Sequence, residues 1–267
     1  MLKLKIMEFL RKLMTGRFCR LKLCYLWFYN KITRADKRLA DYKDIHKGEC
    51  CFCVGTAPSL TLQDLELIQN HKSFSCNSVV KLYDKTPWKP TYFLAFDPLF
   101  YSLYHEQVKS EDYRAIFFNK TQIPSLDCDG IAVKGSPEHL VREYMKKKKK
   151  EPHLELSLDL TDKLIIGQST IHSAIALAVW MGFSEICLLG VDCDYSVQHA
   201  EGTEDDRLQS SDLDAREMRK DFADYLPQIE KLGIRLINCS RGNKLQILPY
   251  EELEDVLARN RKDCVHE

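Results

Sequence analysis

From residue 50 onward the chain alternates short apolar runs with longer amphipathic stretches, and this alternation restricts the fold more than any other feature. Short apolar runs bounded by small or polar residues are typical of buried strands. The predicted strands cover residues 50–54, 73–76, 91–96, 115–118, 186–189 and 235–237, and the predicted helices cover 62–69, 98–108, 137–145, 170–181 and 213–232. Strands that alternate with helices predict an α/β protein with a Rossmann-like, mainly parallel sheet and helices on both faces.

Charge is distributed unevenly along the 267 residues. Residues 1–38 carry eleven lysines and arginines against two acidic residues, which gives this segment a net charge of +9. The remaining 229 residues carry 28 basic and 37 acidic side chains, so the body of the chain predicts no nucleic-acid partner. We therefore predict two parts: a basic amphipathic segment over residues 1–47 and a nucleotide-binding transferase domain over residues 48–267.

The N-terminal segment has the pattern of a basic amphipathic helix, with apolar side chains at helical spacing and charged side chains on the opposite face. The apolar positions are Ile6, Phe9, Leu10, Leu13 and Met14. No run approaches the roughly 20 apolar residues that cross a bilayer. The pattern predicts binding to an anionic membrane surface through residues 1–30, at the cytoplasmic face of the membrane, with packing on the body as the alternative.

The chain contains eleven cysteines, an odd number without the regular spacing of a disulfide framework. Cys51, Cys53 and Cys187 lie within apolar runs, which predicts reduced core thiols in a cytosolic protein. The group formed by Cys50, Cys51 and Cys53 lacks a second pair at zinc-finger spacing. No metal site is therefore predicted from the cysteines.

Small and polar residues follow the predicted strands, at the edge where proteins of this class bind ligands. Gly55, Thr56 and Ser59 form a turn before a helix, where free amides and hydroxyls favour a phosphate. This turn has neither the Walker pattern nor the dinucleotide-binding fingerprint. Asn77 follows the second strand and offers a donor and an acceptor to a ribose, base or sugar. Asp97, after the third strand, is either a ligand-binding residue or a helix N-cap.

The later half of the domain contains a second set of small and polar residues at a helix start and a strand end. Ser169 and Thr170 begin a helix rich in small residues, and the buried strand that follows ends at Gly190 and Asp192. His172 lies inside that helix, where a structural role is favoured over a catalytic one.

The polar loop after this strand contains the candidate general base. His199 lies in this loop, and a histidine titrates close to neutral pH. Tyr195, Asp192 and Asp194 are near enough in sequence to orient it or to bind a ligand. A surface histidine without a function is the alternative.

The ordered set of these motifs resembles the bacterial sialyltransferases of glycosyltransferase family 42. It equally resembles the related archaeal 6-hydroxymethylpterin diphosphokinase-like family. The resemblance covers roughly residues 48–240 and is most specific over residues 176–192. It implies nucleotide or donor binding by Gly55, Thr56, Ser59, Asn77, Asp97, Ser169, Thr170 and Gly190.

The sialyltransferases use a histidine as base and tyrosines beside the leaving phosphate, without a metal. The resemblance therefore implies catalytic roles for His199 and Tyr195, with Asp192 at the same strand end. The sequence departs from their pattern at Asp97, where they have asparagine. An acidic side chain near a phosphate repels it unless a metal intervenes, which leaves the nucleotide open.

Two enzymatic functions follow from this resemblance. The first is a glycosyltransferase that moves a sugar, with a CMP-linked acidic sugar as one candidate, from a nucleotide donor to a glycan or lipid-linked acceptor in surface-polysaccharide synthesis. This reaction requires no cofactor, and the basic N-terminal segment favours it.

The second function is pyrophosphate transfer from ATP to a hydroxymethylpterin, with Mg²⁺ held by Asp97, Asp192 and Asp194. The aspartate at position 97 favours it. A non-enzymatic alternative is a degenerate transferase fold that serves as an interaction module. The sequence is compatible with an oligomer.

We predict that removal of residues 1–30 abolishes co-sedimentation with anionic vesicles, because this segment carries the basic and apolar features that bind such a surface. Added salt should weaken the binding of the full-length chain, since surface charges are screened. Co-sedimentation of the shortened chain at the level of the full-length chain would contradict the membrane assignment.

Overall fold

The computed structural model describes residues 34–136, 153–194, 200–203 and 212–263. The predicted N-terminal amphipathic helix and the predicted helix 137–145 lie outside the described residues, as do Tyr195, His199 and most of the charged loop 198–212. Among the described residues, no helix combines the length and the apolar content that a bilayer crossing requires.

In the described part of the chain, seven strands form one sheet. They are β1 (Cys50–Val54), β2 (Ser73–Cys76), β3 (Tyr92–Ala95), β4 (Ala115–Asn119), β5 (Ile131–Val133), β6 (Glu185–Leu189) and β7 (Arg235–Asn238). Their order is β5-β4-β3-β2-β1-β6-β7, and every neighbouring pair is parallel. The predicted Rossmann-like parallel sheet is confirmed.

Helices cover both faces of the sheet. They are α1 (Leu62–Leu67), α2 (Pro98–Lys109), α3 (Thr170–Trp180), α4 (Asp212–Glu230) and α5 (Leu253–Asp263), with 3₁₀ helices at Lys37–Tyr42 and Asn77–Leu82. Alternate side chains of a strand point to opposite faces. Cys51 and Cys53 of β1 accordingly pack with α3 and α4, whereas Phe52 and Val54 pack with α1, α2 and α5.

Local capping residues explain where three of these helices begin. Thr61 accepts a hydrogen bond from the amide of Asp64 at the start of α1, and Asp97 accepts hydrogen bonds from two amides at the start of α2. Ser169 caps α3 in the same way. Each cap satisfies amides that have no partner inside the helix.

The sequence prediction missed β5 and α5. β5 has only three residues, and its pairing with β4 makes it a strand, which no local pattern shows. α5 is highly charged, and over residues 253–260, where burial is described, the buried side chains are Leu253, Val256 and Leu257 on one face. Tertiary packing therefore decides the structure of both elements.

Part of the segment before residue 48 packs against the sheet domain. Leu39 is fully buried, and the indole nitrogen of Trp180 donates to its carbonyl at 3.1 Å. His46 is also buried, with its ring stacked on Phe183 and its Nε2 2.6 Å from the hydroxyl oxygen of Tyr92. These residues therefore pack against α3 and β3. The predicted division at residue 47 stays a prediction.

The loops after β1 and β6 touch through two glycines. The amide of Gly55 donates to the carbonyl of Leu189 at 2.8 Å, and the amide of Ala57 donates to the carbonyl of Gly190 at 2.9 Å. Gly190 has φ +63°, and a Cβ at this position would lie 2.9 Å from the carbonyl oxygen of Gly55 and from the Cβ of Leu60. Only glycine fits both the conformation and the space at this position.

We predict that Gly190→Ala destabilises the protein more than Gly233→Ala, which is the matched control. Both glycines have positive φ, but a Cβ at Gly233 meets nothing within 4 Å. The control substitution should cost about 1–2 kcal/mol from backbone strain. Gly190→Ala should cost roughly a further 1–3 kcal/mol from the close contact, measured by denaturant unfolding. Equal losses for the two variants would show that the loops separate at little cost.

Candidate functional site

The candidate site lies at the carboxyl edge of the sheet, beside the point where the strand order reverses. β1 pairs with β2 on one side and with β6 on the other, so the connections that leave β1 and β6 run in opposite directions. Open parallel sheets bind ligands in the crevice at such a reversal. The predicted site residues in the described part of the chain follow β1, β2, β3 and β6 or begin α3, and they lie along this edge.

The loop after β1 does not offer the free amides that the sequence predicted for a phosphate. The amides of Gly55 and Ala57 donate to backbone carbonyls of the β6 end, and the amide of Ser59 donates to Asp192 at 3.2 Å. The following helix, α1, has only six residues, and the carboxylate of Asp64 lies in its first turn. These three amides join β1 to β6, and the predicted ligand role of the loop stays a prediction.

Asp192 holds this junction from the β6 side. Its side chain is fully buried and accepts hydrogen bonds from both the amide and the hydroxyl of Ser59. The next residue back, Val191, donates its amide to the hydroxyl of Ser240 after β7 at 3.0 Å. The Ser59 contacts hold the Asp192 carboxylate in place, and its predicted catalytic role stays a prediction.

Asn77, at the end of β2, is a predicted site residue with a buried side-chain acceptor that no described residue satisfies. Its Oδ1 is buried and has no hydrogen-bond partner among the described residues. Its backbone is left-handed, with φ +56°, a conformation that asparagine tolerates better than most residues. A buried acceptor without a partner costs free energy, which a ligand donor at this position would recover.

The ends of β2 and β3 and the start of α3 converge around Cys76. The thiol of Cys76 is hydrogen-bonded to the side chain of Thr170, and the charge of Asp97 is close enough to act on it. Burial, with a smaller contribution from Asp97, raises the pKa of Cys76 to about 12, and the Thr170 hydrogen bond opposes this shift. The thiol is therefore protonated at neutral pH and serves as a neutral neighbour of the site.

Asp97 acts as the N-cap of α2. Its Oδ1 accepts from the amides of Leu99 at 2.8 Å and of Phe100 at 3.1 Å. Asp97 is therefore a helix N-cap, which is the structural alternative that the sequence left open for this residue. A cap carboxylate retains acceptor capacity on its second oxygen, so the position is also compatible with a ligand donor.

The start of α3 is fixed by its own side chains. Ser169 accepts from the amide of Ile171 at 3.2 Å, and its amide donates to Nδ1 of His172 at 3.3 Å. The His172 ring is fully buried and packs on Phe222 at a centroid distance of 4.2 Å. A Cβ on Gly167 would come within 2.8 Å of His172, so this ring also fixes the preceding turn. These contacts give His172 a structural role.

Helix α4 contributes two residues that the sequence analysis missed. The buried carboxylate of Asp221 accepts from the amide of Gln168 at 2.7 Å, directly before the Ser169 cap. Arg219, two residues earlier, donates to the carbonyl of Cys193 after β6 at 3.1 Å. It also donates to the carbonyls of Lys244 and Leu245 after β7. In the sequence, these two residues could have been found from the run of three charged residues, Arg219–Asp221, directly before the apolar Phe222.

The three carboxylates that the sequence offered to Mg²⁺ are each engaged by protein groups. Asp97 caps α2, Asp192 binds Ser59, and Asp194 lies 3.3 Å from the ammonium nitrogen of Lys244. They do not form one of the clusters of metal-ligating side chains found among the described residues. Mg²⁺ is commonly held by only one or two carboxylates together with substrate phosphates, so the predicted role of these residues toward Mg²⁺ stays a prediction.

The segment 200–203 returns to the site from the charged loop. Ala200 is buried, and its amide donates to the carbonyl of Thr56 at 2.8 Å. The candidates Tyr195 and His199 lie outside the described residues. The described residues on either side of them, Asp194 and Ala200, lie at the β6 end and against the β1 loop.

The fold matches that of a solved glycosyltransferase. The MAf glycosyltransferase from Magnetospirillum magneticum AMB-1 is similar with a TM-score of 0.52 at 14% sequence identity, over 84% of this chain and 40% of that chain. The chain thus spans less than half the length of that protein. The enoyl-acyl carrier protein reductase of Bacillus cereus with NADP+ is matched with a TM-score of 0.27 at 11% identity, over 81% of each chain, and this likeness carries no argument.

No curated protein sequence matches the chain significantly. The sequence model of the family described as 6-hydroxymethylpterin diphosphokinase MptE-like matches residues 28–198. This match covers more than half of the chain and includes β1 to β6, the β2 end at Asn77 and the start of α3. The chain therefore belongs to the 6-hydroxymethylpterin diphosphokinase MptE-like family.

Proposed function

We propose that this protein is a transferase that binds a nucleotide-activated sugar at the carboxyl edge of the sheet and passes the sugar to a glycan or lipid-linked acceptor. The observation that carries the proposal is the buried Oδ1 of Asn77, which has no hydrogen-bond partner among the described residues and lies at the end of β2 beside the strand-order reversal. The side chain of Thr170, at the start of α3, interacts with the thiol of Cys76, which directly precedes Asn77. The fold of the MAf glycosyltransferase supports the same class.

In this proposal Asn77 binds the ribose or base, while Ser169 and Thr170 lie toward the phosphate. α3 is eleven residues long, so amides at its start favour negative charge. The crevice around the donor is shaped by residues that follow the strands, namely Gly55, Thr56, Ser59, Asp97 and Gly190. A CMP-linked acidic sugar is the donor that the resemblance to sialyltransferases favours, and no cofactor is needed.

Pyrophosphate transfer from ATP is the second candidate, because the name of the family points to it. This reaction requires Mg²⁺, and the three candidate carboxylates are engaged by Leu99 and Phe100, by Ser59 and by Lys244. We place the glycosyltransferase first because the fold matches that of a solved glycosyltransferase.

A thermal-shift panel of CMP, CDP, UDP, GDP and ATP, each with and without Mg²⁺, tests the two candidates. A ligand that binds only the native state stabilises it by about 2.7 kcal/mol at a concentration of 100 Kd. We expect a pyrimidine nucleotide to raise the melting temperature without Mg²⁺. A shift with ATP that requires Mg²⁺, and with no other nucleotide, would support diphosphate transfer instead.

We propose further that residues 1–30 hold the enzyme at the cytoplasmic face of an anionic membrane, where lipid-linked acceptors are present. The support is the charge of residues 1–38 and their apolar periodicity. A membrane-surface acceptor would also explain why a transferase domain with an acidic body carries a strongly basic segment.

We predict that Asn77→Gly weakens nucleotide binding by roughly 1–3 kcal/mol, because the nucleotide loses a buried hydrogen-bond partner. Glycine accepts the left-handed backbone, so the melting temperature of the free protein should not fall. Asn77→Ala should weaken binding equally but also lower the melting temperature, since alanine is strained at φ +56°. Calorimetric affinities that match the wild type in both variants would place Asn77 outside the site.

We predict that His199→Ala lowers turnover by about 10²–10⁴-fold with nearly unchanged donor affinity, because it removes the general base. Turnover is measured as release of the nucleotide that the thermal-shift panel identifies. His172→Ala is the matched control: it removes packing against Phe222 and should lower stability instead. Full activity of His199→Ala, or a fully folded but inactive His172→Ala, would reverse the two assignments.

A further inference from the structure

A turn over residues 200–203 lies against the loop after β1, beside the candidate site. Ala200 is buried, and its amide donates to the carbonyl of Thr56 at 2.8 Å. Thr203 is also buried, and its amide and hydroxyl donate to the carbonyl of Ala200 at 3.0 Å and 2.9 Å. Both ends of the turn are therefore fixed, and Gly202, two residues after Ala200, lies at most about 7 Å from it.

Lys85 contacts this turn from the connection between β2 and β3. Gly202 has φ +86°, and a Cβ on it would collide with Nζ of Lys85 and lie 3.6 Å from Cδ2 of Leu82. Leu82 ends the 3₁₀ helix that begins at Asn77. The ammonium therefore occupies the space that a side chain at position 202 would take, close to the element that carries Asn77.

The ammonium of Lys85 is available to a ligand. It has no hydrogen-bond or ion-pair partner among the described residues. Asp84 and Glu201, which neighbour Lys85 and Gly202 in sequence, are exposed and form no described ion pair with it. Other described cations near this edge of the sheet are bound by protein groups, namely Arg219, Arg241 and Lys244. Lys85 thus keeps the three donors of its ammonium for a further partner.

The proposed donor requires positive charge at this edge. A nucleotide-activated acidic sugar carries negative charge on its phosphate and on its sugar carboxylate. Asp97 and Asp192 follow β3 and β6 at the same edge and add negative charge to it. Like charges disfavour an anion, whereas an ammonium forms charge-assisted hydrogen bonds with phosphate or carboxylate oxygens.

We propose that Lys85 binds an anionic group of the donor, either the phosphate or the sugar carboxylate, and that glycine at position 202 leaves room for its ammonium. The inference rests on the proposed transferase function and names the residue that balances the donor charge. Leu82 and Ala200 belong to the core on the α2 side of the sheet, whereas α3 covers the other face. Lys85 and the start of α3 therefore approach the donor from opposite sides.

The test compares calorimetric affinities of CMP, CDP, UDP, cytidine and CMP-sialic acid for the full chain and for Lys85→Met. Methionine keeps the apolar stem and removes the charge, so we expect an affinity loss of about 10- to 100-fold for the ligand that carries the contacted anion. Cytidine affinity should not change. A loss with CMP identifies the phosphate, and a loss with CMP-sialic acid but not with CMP identifies the carboxylate. Added salt should reduce the difference between the two proteins.

Two matched controls separate this role from a general effect. Lys47→Met removes an exposed lysine at the amino end of β1, and it should leave every affinity unchanged. Gly202→Ala and Gly233→Ala both place alanine at positive φ, but a Cβ at Gly233 meets nothing within 4 Å. The two alanine variants should lose similar stability from backbone strain, and only Gly202→Ala should weaken binding of the anionic ligand. Lys85→Arg, which keeps the charge, should retain most of the affinity.

The outcomes distinguish this inference from the proposed function. Wild-type affinity of Lys85→Met for every nucleotide that the wild type binds would overturn the assignment of Lys85 and leave the proposed function intact. An equal loss with cytidine would also overturn it, because a nucleoside carries no anionic group. A wild type that binds none of these ligands, and no other nucleotide of the thermal-shift panel, would overturn both.

Discussion

The close approach of the β1 and β6 ends is the constraint on which the candidate site depends. Gly55 and Gly190 let the two backbones touch, and the buried carboxylate of Asp192 fastens Ser59 across the junction. A buried carboxylate is stable only when hydrogen bonds compensate its lost hydration, and the amide and hydroxyl of Ser59 supply them. These contacts therefore fix the edge of the sheet at the strand-order reversal. The end of β2 and the start of α3 lie beside this edge.

Helix α4 adds a second layer of support behind this edge. Asp221 orders the turn that precedes α3, whereas Arg219 joins the loop after β6 to the loop after β7. Two residues of one helix, separated by Lys220, thus hold the turn before α3 and the end of β6. The family match ends at residue 198, so this support comes from the part of the chain beyond the match. The candidate site therefore depends on residues both inside and beyond the matched region.

The sequence predicted the elements whose signals are local. β1 and β2 match their predicted bounds, and α2 and α3 begin where Asp97 and Ser169 supply a cap. β5 was missed because only its partner β4 makes three residues a strand. For the site, the roles predicted for Asn77 at a strand end and Thr170 at a helix start stay predictions. The hydrogen bond between Ser59 and Asp192 could not be predicted, because 133 residues separate the two in sequence. Considered singly, each of them has the character of a ligand-binding residue.

The strand order also has a consequence for synthesis of the chain. β1 lies in the interior of the sheet, yet its partner β6 begins at residue 185, long after β2 to β5 have been made. Ribosomes add about 5–20 residues per second, so β1 waits on the order of ten seconds with one side unpaired. During that interval the half-formed sheet presents an apolar edge, which is the kind of surface that associates with other chains and that chaperones recognise.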